Sequence, residues 1–454
     1  MHDLSVTVVA VATPQGRGGV GCVRLSGERA EAIASTVFRP AGGRKPTPGS
    51  APCFGRFLAR DGAPLDHGYL VLFEAGRSYT GETTAELWAH GSPAVLEELL
   101  RSTIVAGAEP AGPGEFTYRA LRHGRLDLAR AEAVRDLVAA RTLFQARVAF
   151  AQAEGAVARR LAPLIEALEE SIARGEAAVE FVEESETHLP RAQLAAAIET
   201  LARHCRELLA ESAVGRVVRE GARVAIVGLP NVGKSSLFNR LIGRERAIVA
   251  DQPGTTRDTL DDEVDLNGLP VRLIDTAGLR EIADPVESEG VRRAREARAE
   301  ADLVVLVLDR SRPLDRLERE ALDRSNRERS TPTLIVDNKA DLPAAGDRTG
   351  GIDTLAVSAK TGQGIEALRS ALRERLAGTA AVEPPALTDA RHARALEEAA
   401  AALERARRAQ QAGLSEELLL EDLREARAHL GAITGEFGVE ALYDRIFSTF
   451  CIGK

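Results

Sequence analysis

Residues 223–236 read Arg-Val-Ala-Ile-Val-Gly-Leu-Pro-Asn-Val-Gly-Lys-Ser-Ser, and the run from Gly228 to Ser235 fits G-x-x-x-x-G-K-[ST]. The spelling follows from the chemistry of a polyphosphate. Its oxygens must be wrapped by backbone N–H groups, so Gly228 and Gly233 make turns that a Cβ would block. Lys234 brings a compact ammonium to the β- and γ-phosphates, and Ser235 offers a hydroxyl to Mg²⁺. A helix expected from Ser236 to Leu241 directs its positive N-terminal end at the same charge. Asn231, Val232 and Ser236 complete the loop, and Val224–Val227 reads as the buried parallel strand that leads into it.

Further short runs follow, each after an apolar stretch that reads as a strand. Asp275-Thr276-Ala277-Gly278 follows Val271–Ile274. Its carboxylate can hold the Mg²⁺ shell through water, and the Gly278 N–H can meet a γ-phosphate. Asn338-Lys339-Ala340-Asp341 follows Thr333–Val336. The Asp341 carboxylate can accept two N–H bonds that guanine offers and adenine lacks, which is strong discrimination by buried polar pairing. The Lys339 stem can lie along the base plane. Ser358-Ala359-Lys360, after Leu355–Val357, can bring a backbone N–H to the guanine O6. Gly254-Thr255-Thr256-Arg257-Asp258 sits where a switch loop belongs, with Thr256 as the second Mg²⁺ hydroxyl. Together these runs resemble the translation-factor-related class of small GTPases over residues 216–379, which implies GTP as the nucleotide. The position after Gly278 is Leu279, where Ras-like proteins carry a water-orienting Gln, so a catalytic group must come from elsewhere. Glu281, Asp284, Glu287 and Glu289 are the nearby carboxylates.

The elements that must position these residues divide the chain. Its 454 residues allow about three domains, at roughly 150 residues each. Strands are expected at Val6–Ala12, Val20–Leu25, Phe54–Ala59, Tyr69–Phe73 and Ala85–Ala89, with helices at Glu28–Val37 and Pro93–Ala106. That is an α+β domain over residues 1–120. From Leu126 the composition turns to Ala, Leu, Glu and Arg at helical period, and the same style returns from about Arg391. Neither block looks rich enough to enclose a core alone. The expectation is a multidomain α/β protein in which an all-α helical domain, discontinuous over 121–215 and 380–454, holds an inserted P-loop GTPase domain over 216–379. Gly-rich Gln15–Val20 could be a second phosphate loop, but it lacks the G-K-[ST] ending and reads better as a tight turn.

Composition bounds the partners and the compartment. Net charge is −9, so any nucleic-acid contact uses a local basic patch. Cys22, Cys53, Cys205 and Cys451 are scattered without C-x-x-C spacing, which fits a reducing cytoplasm. No apolar run approaches the length of a membrane span. Of fifty-nine cationic side chains only five are lysine, and four of those, Lys234, Lys339, Lys360 and Lys454, lie in short motifs. A Lys in such a chain suggests a site that needs a compact ammonium or a narrow stem.

The ending Phe450-Cys-Ile-Gly-Lys454, the Gly254–Asp258 loop, the Asp275–Arg280 run, Thr13–Gly21 and Pro113–Phe116 resemble the MnmE (TrmE) family of tRNA modification GTPases across the whole chain. The resemblance implies an N-terminal folate-binding domain that dimerises, and action on the wobble uridine of certain tRNAs. It implies an FAD-containing partner, MnmG, and attachment of an aminomethyl or carboxymethylaminomethyl group at C5. The one-carbon unit comes from a tetrahydrofolate, 5-formyl or 5,10-methylene. By position, Asn231, the backbone of Ala250 and Gln252, and Thr255 would hold K⁺ beside the phosphates, and Glu287 would act on water. Arg24, Glu86, Arg125 and Lys454 would meet folate, with Arg125 standing where the family often carries Lys. Cys451 would belong to the modification site. The rival reading is a regulatory GTPase switch that binds ribosome or RNA without modification chemistry. It would need the nucleotide block but neither a folate pocket nor the terminal Cys-Ile-Gly-Lys. A transferase with an inert GTPase fold is disfavoured because every nucleotide motif is intact.

Overall fold

The computed structural model describes residues 3–43, 46–180, 191–243, 261–266, 268–275, 301–327, 331–346, 352–378, 384–436 and 440–453. The chain forms two compact units, Met1–Arg135 with Gly431–Lys454, and Asp136–Leu430.

The first unit is built on β1 (Val8–Val11), β2 (Gly18–Ser26), α1 (Ala30–Thr36), β3 (Phe38–Pro40), β4 (Cys53–Leu58), β5 (Pro64–Phe73), β6 (Thr84–Gly91), α2 (Pro93–Val105), β7 (Glu109–Pro110) and α3 (Glu115–Arg122). α4 (Leu128–Ala139) begins in this unit. Its sheet runs β3-β4-β5-β6-β2-β1-β7, antiparallel except for β1 with β7. Alternation sets the faces. Leu70, Leu72, Ala85, Leu87 and Ala89 point into the core with Ile33, Phe38, Phe57 and Leu99, while Tyr69 and Trp88 face out. The five strands and two helices read from the pattern are present with shifted ends; β3, β7 and α3 are additional. β3 and β7 are three and two residues long, too short to show a period.

The chain end folds into this unit. α13 (Glu440–Phe447) and Phe450 pack with Tyr118 and Leu128, and Phe447 stands edge-on to Tyr118 at 5.4 Å. Ile452 bridges Pro113, and Gly453 lies so close to β1 that a Cβ would come within 2.4 Å of the Val11 carbonyl oxygen. Arg119, fully buried, is held by Glu82 at 3.0 Å and Glu115 at 2.8 Å.

The second unit holds α5 (Leu143–Ala153), α6 (Ala156–Glu180), α7 (Arg191–Glu220), β8 (Ala222–Val227), α8 (Lys234–Ile242), β9 (Asp261–Leu266), β10 (Leu269–Asp275), β11 (Leu303–Asp309), α9 (Arg316–Arg327), β12 (Thr333–Asn338), β13 (Leu355–Ala356), α10 (Ile365–Ala377), α11 (Ala390–Gln411) and most of α12 (Glu416–Thr434). Its sheet runs β13-β12-β11-β8-β10-β9, and only β9 is antiparallel to its neighbour. β11, Leu-Val-Val-Leu-Val-Leu-Asp, is buried at every position, as a central parallel strand covered on both faces must be. The chain leaves β8 toward β10 on one side and β11 on the other. That reversal opens a crevice at the carboxyl ends of the strands, where such sheets bind ligands.

Helices from both sides of this sheet in sequence pack together. The Cys205 thiol of α7 donates to the Leu396 carbonyl of α11 at 3.5 Å, and Gln152 of α5 donates to Ala386 O at 2.8 Å and to Thr388 Oγ1 at 3.0 Å. Arg424 and Arg427 of α12 reach Glu176 and Glu169 of α6, each at 2.7 Å. A close approach is at Gly215 in α7, where a Cβ would stand 1.8 Å from the Leu387 carbonyl oxygen. Helix propensity favours Ala over Gly by about 1 kcal/mol, whereas overpacking a tight contact costs roughly 1–3 kcal/mol. Gly215→Ala is therefore expected to lower the thermal unfolding midpoint of the full chain despite its better propensity; an unchanged or raised midpoint would contradict the packing.

Candidate functional site

β8 ends at Val227, and the next residue must turn beneath β11. Gly228, at φ +154°, does so: a Cβ there would lie 2.4 Å from the Val307 carbonyl oxygen. Asn231 is left-handed at φ +65°, one of two described non-glycine residues with positive φ. Gly233, at φ +96°, caps α8, and Leu237 N–H donates to its carbonyl at 2.9 Å. Lys234 is buried, with its ammonium donating to Leu229 O at 2.9 Å. Ser235 and Ser236 are exposed in the first turn of α8. The loop thus has the cradle a polyphosphate needs, with a cation inside it and two hydroxyls at its helix end.

The base side is built from the ends of β12 and β13. Asn338 is buried, and its Nδ2 donates to Val232 O at 2.8 Å while its Oδ1 accepts from Ala359 N–H at 3.0 Å. One side-chain amide therefore joins the phosphate loop to the 358–360 loop. Lys339 is the second left-handed residue, at φ +66°, and its Nζ lies 2.7 Å from Asp309 Oδ2. Ser358 is fully buried; its hydroxyl donates to Asp341 Oδ1 at 2.6 Å and accepts from Thr361 N–H at 3.1 Å. The Ser358 hydrogen bond holds the exposed Asp341 carboxyl below the usual range, so at neutral pH it is an acceptor only. That state suits the paired N–H donors of guanine. Arg240, from α8, ties down the same loop through Ala359 O at 3.0 Å and Lys360 O at 2.6 Å.

The structure thus brings Val232, Gly233, Asn338, Lys339, Asp341, Ser358, Ala359 and Lys360 to the loops at the ends of β8, β12 and β13. Asp275 ends β10, in register with Ile226, but its side chain lies outside the described residues. So do Ala250, Gln252, Thr255, Thr256, Thr276, Ala277, Gly278, Glu287 and Lys454. Asp309 and Arg240 belong to the site and were not singled out from the sequence. Asp309 carried a signal, an acid ending an otherwise wholly apolar strand. Arg240 carried none, because its target is a carbonyl more than a hundred residues away.

In the first unit the cross-strand partners Arg24 and Glu86 meet directly. Arg24 Nε and Nη2 lie 2.9 and 2.8 Å from Glu86 Oε1, and Trp88 Nε1 donates to Oε2 at 3.0 Å. The Arg24 guanidinium also lies 5.8 Å from the centre of the Phe116 ring. Arg125 is exposed, its Cγ near Gly81, and Cys451 is exposed, its carbonyl accepting from Gly114 N–H at 3.4 Å. Burial pushes the Cys22 thiol up to about 12, so it stays protonated beside the Arg24–Glu86 pair. A cavity of about 440 Å³ elsewhere is lined by Gln145, Gln152, Arg219 and Thr388 and contains none of these groups. Gln145 Nε2 spans it to Val218 O at 3.0 Å and Arg219 O at 2.9 Å, which makes it a structural joint between α5 and α7. Among the described residues no cluster of three His, Cys, Asp or Glu could hold a metal, and no helix is long and apolar enough to cross a membrane.

Residues 128–451 match the family model of the MnmE helical domain, and residues 7–125 match that of the GTP-binding protein TrmE N-terminus. The tRNA modification GTPase MnmE of Koribacter versatilis is 41% identical, over 100% of this chain and 100% of the relative. The protein of the same name from Nitrosomonas europaea is 41% identical over 99% of each chain. That from Aquifex aeolicus is 39% identical over 98% of this chain and 99% of its own.

The base-side geometry makes a direct prediction. Replacing the Asp341 carboxylate by an amide exchanges an acceptor for a donor, which suits the 2-oxo group of xanthine and not the 2-amino group of guanine. Asp341→Asn should weaken GTP binding by on the order of 10²-fold or more and improve binding of xanthosine triphosphate. Competitive titration of the two nucleotides measures the switch.

Proposed function

The chain belongs to the MnmE family of tRNA modification GTPases and is a GTP hydrolase acting in tRNA modification; from that premise we propose the chemistry of each unit. The protein works in the cytoplasm as a homodimer with an FAD-containing partner of the MnmG kind. Together they attach an aminomethyl or carboxymethylaminomethyl group to C5 of the wobble uridine in certain tRNAs. The observation that carries this reading is the Arg24–Glu86 pair, braced by Trp88, in the same compact unit as the docked Phe450-Cys451-Ile452-Gly453 end.

A carboxylate such as Glu86 suits the adjacent N–H donors of a 2-amino-4-oxopyrimidine, the same donor pair that guanine presents to Asp341. This supports a pterin, and the residues present fit a tetrahydrofolate. Arg125 and Lys454 supply cations for its glutamate carboxylates. Bound 5-formyl or 5,10-methylene tetrahydrofolate supplies the one-carbon unit. Cys451, exposed beside Pro113 and Gly114, lies at the modification site.

In the nucleotide unit Lys234 neutralises the β- and γ-phosphates, and Asn338, Lys339, Asp341 and Ser358 hold the base. Ser235 and Thr256 would offer hydroxyls to Mg²⁺, and Asp275 would hold its shell through water. Asn231, the backbone of Ala250 and Gln252, and Thr255 would hold K⁺, as the family resemblance implies. Asn231 lies within the Gly228–Gly233 cradle and the exposed Ser235 follows it, and oxygen donors of this kind suit hard cations. When bound, K⁺ would supply the positive charge that an arginine finger gives elsewhere. Leu279 cannot orient water, and the family resemblance gives that role to Glu287.

GTP hydrolysis should be on the order of 10²-fold faster in KCl than in NaCl at equal ionic strength, as expected for fixed charge placed at the developing negative charge. Equal rates would remove the potassium site. Nucleoside analysis of tRNA from a deletion strain should find the wobble uridine unmodified. In that strain Cys451→Ser should restore GTP hydrolysis but not full modification, and a chain lacking residues 451–454 should also bind folate more weakly. Full restoration of modification by the truncated chain would exclude a role for the C-terminus.

A further inference from the structure

We propose that Asp309 is a positioning residue for guanine-nucleotide binding, acting through Lys339 without touching the nucleotide. The proposal rests on the base-site reading above and adds a residue to it. β11 carries seven consecutive buried residues, and the last, Asp309, is its only charge. A carboxylate at such a depth requires compensation from both of its oxygens. Oδ1 accepts from the Ser311 N–H at 2.9 Å and the Ser311 hydroxyl at 2.6 Å, and Oδ2 receives the Lys339 ammonium at 2.7 Å. Burial opposes ionisation here, but the bonds from Lys339 and Ser311 outweigh it and hold the carboxyl below its usual range. The register explains why these two meet: Asp309 pairs with Asn338, so Lys339 is the first residue past the end of the neighbouring strand.

Lys339 is itself left-handed at φ +66°, a conformation that residues with a Cβ resist. The turn is held by backbone bonds, from Ala340 N–H to Val357 O, from Leu342 N–H to Lys339 O and from Arg310 N–H to Asn338 O. Those bonds fix where the side chain starts. They do not fix its four rotatable bonds. Asp309 does that by anchoring the head, so the methylene stem is ordered before a base arrives and its rotamer entropy is not lost on binding. A single ammonium on Asp309 Oδ2 suits a Lys better than the broad planar fork of a guanidinium, in a chain whose cations are nearly all Arg. Because the stem meets the base and not the phosphates, the benefit is the same for GTP and GDP.

Asp309→Asn keeps the size of the side chain and an acceptor for Ser311, but removes the charge that holds Lys339. In the full-length protein, titrated with N-methylanthraniloyl GTP and GDP, both dissociation constants should rise about tenfold, the worth of one charge-assisted hydrogen bond. The loss should fall on KM, with kcat at saturating GTP within about twofold. In a Lys339→Met background the same substitution should add less than about twofold, because the group it acts through is gone. Ser311→Ala, which loosens the carboxylate from its other side, should give a smaller loss that also vanishes in that background, and it carries the test if Asp309→Asn does not fold. No loss in the single variant, a full tenfold loss in the Lys339→Met background, or a loss confined to GTP would each overturn the proposal. Asp341→Asn separates the underlying reading: if it fails to favour xanthosine triphosphate while the Asp309–Lys339 coupling persists, the base assignment is wrong and the coupling stands.

Discussion

The nucleotide site depends on the side-chain amide of Asn338. It is buried, and it satisfies two backbone groups that belong to different loops, Val232 O and Ala359 N–H. Each bond adds only about 1 kcal/mol net, but removing the amide would leave both backbone groups unpaired in a dry place, at roughly 1–3 kcal/mol each. The asymmetry makes the three loops a unit. The same amide accounts for Gly233 in a second way. A Cβ there would come within 2.3 Å of Asn338 Nδ2, so glycine is required by the loop junction as well as by close approach of a phosphate. Arg240 adds a tie from α8 to the Ala359 and Lys360 carbonyls. Phosphate loop, base loop and the first helix are thereby positioned together, which is the preorganisation that binding a nucleotide through several weak groups requires.

The first unit uses a different device. Its central polar group is the Arg119 guanidinium, with no exposed surface, held by Glu82 and Glu115 and by the Asp3 carbonyl at 2.9 Å. Ser26 donates to Glu82 at 2.7 Å and Gly112 N–H to Glu115 at 2.8 Å, so the carboxylates are themselves satisfied. A buried ion pair of this kind is weak evidence for stability, since desolvation consumes most of the attraction. Its consequence is geometric. It joins α3 to the loop before β6 and to β2, the strand that carries Arg24. Phe116 in the same helix lies against the Arg24 guanidinium, and Gly114 at the start of the helix receives the chain end.

Much of this was legible in the sequence, for a definite reason. The phosphate loop, Asn338–Asp341 and Ser358–Lys360 are local: glycines that need positive φ, a cation, a carboxylate and the strands that precede them lie within a few residues of one another. β8 and β12 are continuous apolar runs, and the long helices repeat at their own period, so element type follows from short-range pattern. The expectation of guanine over adenine rested on the Asp341 carboxylate together with the ordered set of short runs, whose chemistry is local.

What only the tertiary structure decided are the pairings across long sequence separations. The role of Asn338 as a joint, the capture of Lys339 by Asp309, the Arg240 clamp and the pairing of Glu86 with Arg24 each depend on strand register or on loops meeting in space. Strands β3 and β7 exist because neighbouring strands offer unpaired edges, not because their few residues favour extension. The chain end was legible as an apolar terminus, Phe447, Phe450 and Ile452. That it closes on Pro113 and Val11 depends on two glycines, Gly114 and Gly453, whose missing side chains leave room for a backbone more than three hundred residues away. Local pattern specifies the elements because it acts through bonds and near neighbours; the contacts that assemble the sites come from sterics and hydrogen-bond satisfaction between distant segments, which no local pattern encodes.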